Sequence, residues 1–438
     1  MRWPSRYPRW VRRWFPVLLS LTVIAVSVLI AAAPGSGPFI AVVLALGTCA
    51  YACLAMAIGI STRLPLVEKV LGPLDRAYGV HKALGITALV LVLAHLTLAT
   101  TASASSVGII EPQPLVIGLG ALGLLVLAGT AAVALSDMSH SRFQKVHGPL
   151  AGVAFLVLTL HAVVASATGH GHGAVTTAWT AVLALIGLGG IAQRIHHRYL
   201  GGRRMRVAAT TPRERALEVD LVPARDGGRA PTVRPGQFIV LTASSGGVRE
   251  GHPFTVTRSD EHGLSVMVRA VGDWTRLLQA GLAVGDEVLV DGPFGGFLPA
   301  TSGTPEVWVA GGSGVTPFLA TIRPVLAEER AVRADGAVPP ERWPVRLVVA
   351  AHARSDAPAW EELRDAGEEL GWLTVVPAFT ESGDRLEDEA LDALVADSPE
   401  RASWYVCGPQ DLTRSVRSAL RRAERSTERL HVERFSWR

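Results

Sequence analysis

The sequence predicts a multidomain membrane protein: a six-helix transmembrane bundle, then an antiparallel β-barrel, then an α/β domain with a parallel sheet. Three observations predict it. Residues 1–200 hold long apolar runs with few charges, whereas residues 201–438 hold nearly all the acids. The mean hydropathy of +0.31 therefore averages a membrane half and a water-soluble half. Within the soluble half, short strand-like runs give way after Pro305 to a repeated rhythm of strand, loop and helix. A chain of 438 residues has room for two to four domains.

Six apolar segments approach the ~30 Å needed to cross a hydrocarbon core. They cover residues 16–33, 38–60, 82–102, 114–136, 147–168 and 174–193. The first resembles a signal peptide, with arginines before it and Ala31-Ala32-Ala33 at its end, but five further spans follow and favour an anchor. Arg2, Arg6, Arg9, Arg12 and Arg13 precede the first span. Arg63, Lys69, Arg76 and Lys82 follow the second, Arg142 and Lys145 the fourth, and Arg194, Arg198, Arg203, Arg204 and Arg206 the sixth. The other three connections contain no Lys or Arg. By the positive-inside rule, a basic N-terminus (residues 1–15) and the soluble half face the cytoplasm of a multi-pass protein of the cell membrane. A net charge of +4 does not point to nucleic acid.

Three cysteines are too few for an iron–sulfur cluster. Cys49 and Cys53, one turn apart in an apolar helix, read as small buried residues rather than a disulfide. The histidines are more informative, because ionisable groups inside spans are costly. His81 and His95 lie 14 residues apart on the third span, and His147 and His161 lie 14 apart on the fifth. At ~100° and ~1.5 Å per residue, such a spacing returns to nearly the same helix face ~21 Å further along. The two spans run in the same direction. His81 and His147 therefore share one depth, and His95 and His161 another. Facing imidazoles at each depth could supply both axial ligands of a haem iron. His140 falls outside this pattern. His170 and His172 read as a solvated outer loop, and His196 and His197, with Arg194 and Arg198, as an interfacial basic patch.

In the soluble half, 205–210, 216–223, 237–243, 253–259, 264–270 and 287–291 read as barrel strands, with a short helix near 274–280. Then 307–310, 345–351, 373–378, 404–407 and 430–435 read as strands of the α/β domain, with ligands expected at their C-terminal ends. Three local sequences carry chemistry. His252-Pro253-Phe254-Thr255 can offer a flavin ring an apolar face and donors. Gly272-Asp273-Trp274-Thr275 opens a helix, where backbone N–H groups can hold a pyrophosphate or simply form a cap. Gly311-Gly312-Ser313-Gly314-Val315-Thr316-Pro317 follows a strand and allows close approach of a diphosphate, although it departs from the G-x-G-x-x-G fingerprint.

The order of these motifs, followed by Cys407-Gly408-Pro409, resembles the ferredoxin–NADP reductase type of module. With the spans added, roughly residues 16–438 resemble the ferric reductase and NADPH oxidase superfamily. The resemblance implies a ferric reductase-like membrane domain over 16–200, an FAD-binding barrel over 203–300 and an NAD(P)-binding domain over 304–438. It implies two haem b groups on His81, His95, His147 and His161. It implies FAD contacts from His252, Pro253, Phe254, Thr255, Gly272, Trp274 and Thr275. NAD(P)H contacts would come from Gly311, Gly312, Gly314, Thr316, Pro317, Cys407 and Gly408. A C-terminal aromatic residue covers the flavin ring in that family; Phe435 and Trp437 both fit, with Trp437 the preferred one. Arg354 would pair with a 2′-phosphate if the donor is NADPH. The implied activity is transfer of electrons from cytoplasmic NAD(P)H, through FAD and two haems, to an acceptor outside: a ferric chelate, oxygen, or else a partner protein or quinone. Two other classes stand beside it. A flavin reductase anchored by its helices does not use the four histidines, and a metal transporter does not use the flavin and nicotinamide motifs.

Overall fold

The computed structural model describes residues 22–28, 38–62, 67, 74–104, 114–138, 140–167, 174–199, 201–245, 248–297, 303–383 and 386–433. The chain divides into two compact units, Met1–Leu200 and Gly201–Arg438.

The first unit contains α1 (Pro38–Ile60), α2 (Leu74–Ala104), α3 (Pro114–Leu135), α4 (His140–Ala167) and α5 (Ala174–Tyr199). All five are long and apolar enough to cross a membrane. The first predicted span lies mostly outside the described residues, which contain only a helical stretch over 22–28. α2 and α4 begin before the predicted 82 and 147 and so carry His81 and His147 within helix. Hydropathy marks hydrocarbon thickness, and backbone hydrogen bonding continues past it. α1 pairs with α2, and α3 with α4, while α5 packs on α1. Apolar side chains point outward as well as inward: Leu125 and Leu185 are each 70% exposed. Helices apolar on all sides suit a lipid surround. Inside, Tyr51 stacks on Phe155 with ring centres 5.2 Å apart. Gly187 of α5 makes room for that ring, since a Cβ there would fall 2.1 Å from Phe155 Cζ. Cys49 and Cys53 are buried free thiols.

The second unit opens with a closed barrel of β1 (Arg203–Arg213), β2 (Ala216–Pro223), β3 (Phe238–Ser245), β4 (Val248–Ser259), β5 (Leu264–Arg269) and β6 (Glu287–Phe294). All its pairings are antiparallel, in the order β1-β2-β5-β4-β3-β6. α6 (Asp273–Gly281) drives Trp274 and Leu278 into the barrel core. A five-stranded parallel sheet follows, ordered β11-β10-β7-β8-β9. Its strands are β7 (Glu306–Gly311), β8 (Val345–Ala351), β9 (Leu373–Phe379), β10 (Ser403–Cys407) and β11 (Leu430–Glu433). The helices are α7 (Thr316–Ala334), α8 (Trp360–Glu369), α9 (Asp388–Ala396) and α10 (Gln410–Arg422). Alternation splits the sheet into two cores. Trp308, Leu347, Val349 and Tyr405 face one, and Val307, Val309, Val348 and Val406 the other. A parallel sheet buried on both faces explains the continuous apolar runs of its strands. Ala216, Met267 and Phe297 of the barrel side join the first of these cores, so the two domains share apolar packing.

Candidate functional site

In the helical unit the four spaced histidines meet in two pairs. His81 and His147 have ring centres 6.3 Å apart at 70°, and His95 and His161 6.4 Å apart at 82°. Each Nδ1 sits against a backbone carbonyl of a neighbouring helix. The distances are 2.9 Å for His81 to Ala57, 2.8 Å for His95 to Val43, 3.3 Å for His147 to Thr130 and 2.9 Å for His161 to Val116. A carbonyl only accepts, so Nδ1 carries the proton and donates. That fixes the tautomer and leaves Nε2 with its lone pair, as a metal-ligating histidine requires. Two imidazoles bonded at ~2 Å to one metal ion place their ring centres ~6 Å apart. Both pairs fit that spacing, so the four imidazoles would suit as ligands of two haem irons. Phe143 stacks on His147 at 4.8 Å. Gly47 and Gly120 admit the other pair: a Cβ on either would lie 3.1 Å from an atom of the His95 or His161 ring.

In the soluble unit, β7 leads to β8 on one side of the sheet, and the chain later returns to place β10 on the other side. The crevice above the C-terminal ends of β7 and β10 is thus the topological switch point, where open α/β sheets bind ligands. The two predicted segments meet there. Gly311 ends β7, Gly312–Val315 form a short helical turn, and Thr316 and Pro317 open α7. A Cβ on Gly314 would fall 2.0 Å from the Cys407 carbonyl oxygen, and one on Gly311 would fall 2.7 Å from Pro409 Cδ. Only glycines let this loop lie against the Cys407-Gly408-Pro409 turn. Cys407 itself is fully buried, and burial pushes its thiol well above the ordinary range, so it offers no thiolate.

The flavin motifs divide by strand alternation. Phe254 belongs to the barrel core with Val256, whereas Pro253 and Thr255 lie on the opposite face of β4, the strand against which α7 packs. His252 stacks on Trp274 at 4.3 Å and 12° and pairs with Glu250 at 3.1 Å. The Trp274 indole N–H is buried and has no partner among the described residues. The Thr275 hydroxyl, assigned to a pyrophosphate from sequence, accepts from the N–H groups of Val271 and Gly272 and donates to the Gly272 carbonyl. It caps its own helix. Arg354 is half exposed, and its guanidinium lies on Glu361. Phe435, Trp437, His170 and His172 lie outside the described residues.

Sequence reasoning missed two charge clusters of the second unit, the first of them against the glycine loop. Arg269 and Arg215 both donate to the buried Asp356, at 3.1 and 2.8 Å. Arg269 also lies against the loop, since a Cβ on Gly312 (φ +54°) would meet its Nη1 at 2.6 Å. Arg323 of α7 joins Glu218 of the barrel to Glu362 of α8. Burial pushes the Glu218 carboxyl up, but the guanidiniums of Arg323 and Arg213 outweigh it and hold it below its ordinary value. Apart from the neighbouring Arg213 and Glu218, these partners lie 39 to 141 residues apart in sequence, and no local pattern announces them.

Comparison with known proteins matches an FAD-binding domain to residues 228–297 and an oxidoreductase NAD-binding domain to residues 308–418. The reductase subunit of an aromatic O-demethylase from Amycolatopsis is 28% identical over 218 residues, covering 46% of this chain and 60% of that protein. NADPH oxidase 3 of Rattus norvegicus is 42% identical over 103 residues, covering 21% of this chain and 18% of the relative. Ferric reduction oxidase 5 of Arabidopsis thaliana is 30% identical over 143 residues, covering 29% and 20%. A flavohemoglobin structure from Malassezia yamatoensis, with FAD and haem bound, is similar with a TM-score of 0.51 at 17% identity, covering 95% of this chain and 98% of that one. That likeness concerns fold alone. The chain spans 18% to 60% of the length of these first relatives.

Proposed function

We propose that this member of the ferric reductase and NADPH oxidase superfamily, an NAD(P)H-dependent flavin oxidoreductase with membrane-spanning helices, passes electrons from cytoplasmic NAD(P)H through FAD and two haem b groups to ferric iron outside. The observation that carries the proposal is the pair of imidazole pairs, each ~6 Å between ring centres and each with Nδ1 on a carbonyl. When bound, FAD accepts a hydride and releases electrons singly, which the haems can carry.

The chain's own residues have positional roles. Residues 16–200 form the membrane domain, 203–300 the FAD domain and 304–438 the NAD(P) domain. His81, His147, His95 and His161 hold the two irons. His252, Pro253 and Thr255 border the flavin, with Trp274 behind His252 and Gly272 and Thr275 shaping the helix end nearby. Gly311, Gly312 and Gly314 give the dinucleotide a backbone cradle, and Thr316 and Pro317 begin the helix whose N-terminus faces it. Gly408 keeps the floor of the crevice low beside Cys407. Arg354 selects NADPH if it exchanges Glu361 for a 2′-phosphate. Trp437, or Phe435, covers the flavin ring. The alternating Lys and Arg of the connections support a cytoplasmic side for the N-terminus and the second unit, at the cell membrane.

The match to an NADPH oxidase supports a second reading, with oxygen as acceptor and superoxide or hydrogen peroxide as product. Transfer to a partner protein or quinone is a third. Reconstituted chain, expressed with sufficient haem, should contain two haems per polypeptide and oxidise NAD(P)H with ferric citrate as sole acceptor. His81→Ala and His95→Ala should each lose one haem. Full haem content in both variants would refute the ligand assignment. Oxidation with oxygen but not ferric citrate would select the second reading.

A further inference from the structure

Asp356 belongs to none of the motifs, yet three parts of the second unit meet at it. It closes the short helical turn Arg354–Asp356 after β8 and is 6% exposed. One carboxylate oxygen accepts from Arg269 of β5 at 3.1 Å and from Arg215, in the turn between β1 and β2, at 2.8 Å. The other accepts the Ala353 N–H at 3.3 Å. The two arginines differ in what else they reach. Arg215 is mostly exposed, whereas Arg269 is mostly buried and spends only Nη2 on the carboxylate. Its Nη1 has no partner among the described residues and lies on the open side of Gly312. A Cβ there would fall 2.6 Å from Nη1 and 3.9 Å from the Asp356 carbonyl oxygen. A buried carboxylate thus fixes a planar guanidinium so that its unused edge lies along the glycine loop. Other contacts join the barrel to the α/β domain without Asp356. The Glu214 carboxylate accepts the Ala359 N–H at 3.0 Å. Arg323 joins Glu218 to Glu362, and Ala216, Met267 and Phe297 pack into the core of the sheet. Removing the Asp356 charge therefore frees Arg269 while the domains stay docked.

We infer that Asp356 is a positioning residue for NAD(P)H: by gripping Arg269 it holds the guanidinium against Gly312, and so sets the shape of the loop that receives the dinucleotide without touching the cofactor itself. The inference rests on the proposed function, which assigns that loop to NAD(P)H. Arg215 shares the carboxylate but not the loop, and has no part in binding.

The test is calorimetric titration of the full chain, with FAD bound and in detergent, with NADP+ and with NAD+. Oxidised nucleotides bind without reducing the flavin, so affinity is read apart from turnover. Asp356→Asn should weaken binding of the tighter nucleotide by about tenfold, with FAD content unchanged. Arg269→Gln should do the same. The double variant should bind no more weakly than Arg269→Gln alone, because residues that act through one contact are not additive. Arg215→Gln breaks the shorter of the two ion pairs and should keep wild-type affinity. Unchanged affinity in Asp356→Asn overturns the inference, and so do losses that add in the double variant. An equal loss in Arg215→Gln also overturns it, because the cluster would then be a structural staple only. If Asp356→Asn sheds its FAD, Arg269→Lys takes its place. An ammonium can pair with the carboxylate but has no second edge for the loop, so affinity should again fall about tenfold, and wild-type affinity overturns the inference. A wild-type chain that binds FAD but neither nucleotide refutes the proposed function itself, and this inference with it.

Discussion

Glu306 begins β7 with 3% of its surface exposed, and its carboxylate accepts the Trp308 indole N–H at 2.7 Å. Burial pushes the carboxyl from its ordinary 4.5 up to about 7, against the opposing effect of the indole bond. The folded chain therefore keeps a proton that the unfolded chain has lost between those values. Stability contributed by that proton is complete below pH 4.5, falls as pH rises, and is gone above about pH 7. At ~1.4 kcal/mol per pH unit, the loss amounts to about 3 kcal/mol by pH 8. Glu306→Gln keeps an acceptor for Trp308 and cannot ionise. It should match wild type near pH 4.5 and exceed it by about 3 kcal/mol at pH 8. For a unit of this size that corresponds to a Tm higher by about 5–10 °C. Unfolding followed by tryptophan fluorescence across pH 4.5–8.5, in detergent, measures it. Parallel wild-type and variant curves would refute the reasoning, because the carboxyl would then titrate alike in both states.

Gly314→Ala must push a methyl group into the Cys407 carbonyl, 2.0 Å away. The loop should shift and NAD(P)H affinity fall by about tenfold or more with FAD content unchanged, as nucleotide titration would detect. Arg323→Met strips Glu218 and Glu362 of their shared partner and should cost about 3 kcal/mol, read by denaturant unfolding. Because the folded Glu218 carboxyl lies below its ordinary value, its contribution is present above pH 4.5 and lost as pH falls. That acid-side slope should shrink in the variant. Gly47→Ala and Gly120→Ala each place a methyl 3.1 Å from the ring of His95 or His161; under the proposed ligation, each should alter the absorption and spin-resonance spectra of the haem on that pair and leave the other unchanged.

The parts of the fold with local periodicity were legible. The 14-residue spacings placed the histidines in two pairs, and the strand rhythm located the barrel and the parallel sheet to within a few residues. Alternation along β4 already implied that Phe254 and Thr255 face opposite ways, so the motif could not offer all its side chains to one ring. Contacts made by backbone atoms were not legible, because a carbonyl has no sequence signature. The bundle nevertheless repeats one rule. Val43 and Ala57, the acceptors on α1, are spaced like Val116 and Thr130 on α3, and both spacings equal that of the histidines they hold. Four residues after each acceptor stands a small residue: Gly47, Ser61, Gly120 and Ala134. One turn on from the carbonyl is where a large side chain would cover it and exclude the imidazole. The orientation of the four imidazoles is therefore set by pairs of positions on antiparallel helices, α1 with α2 and α3 with α4. A substitution at the small residue should disturb a histidine that lies between 13 and 48 residues away in sequence.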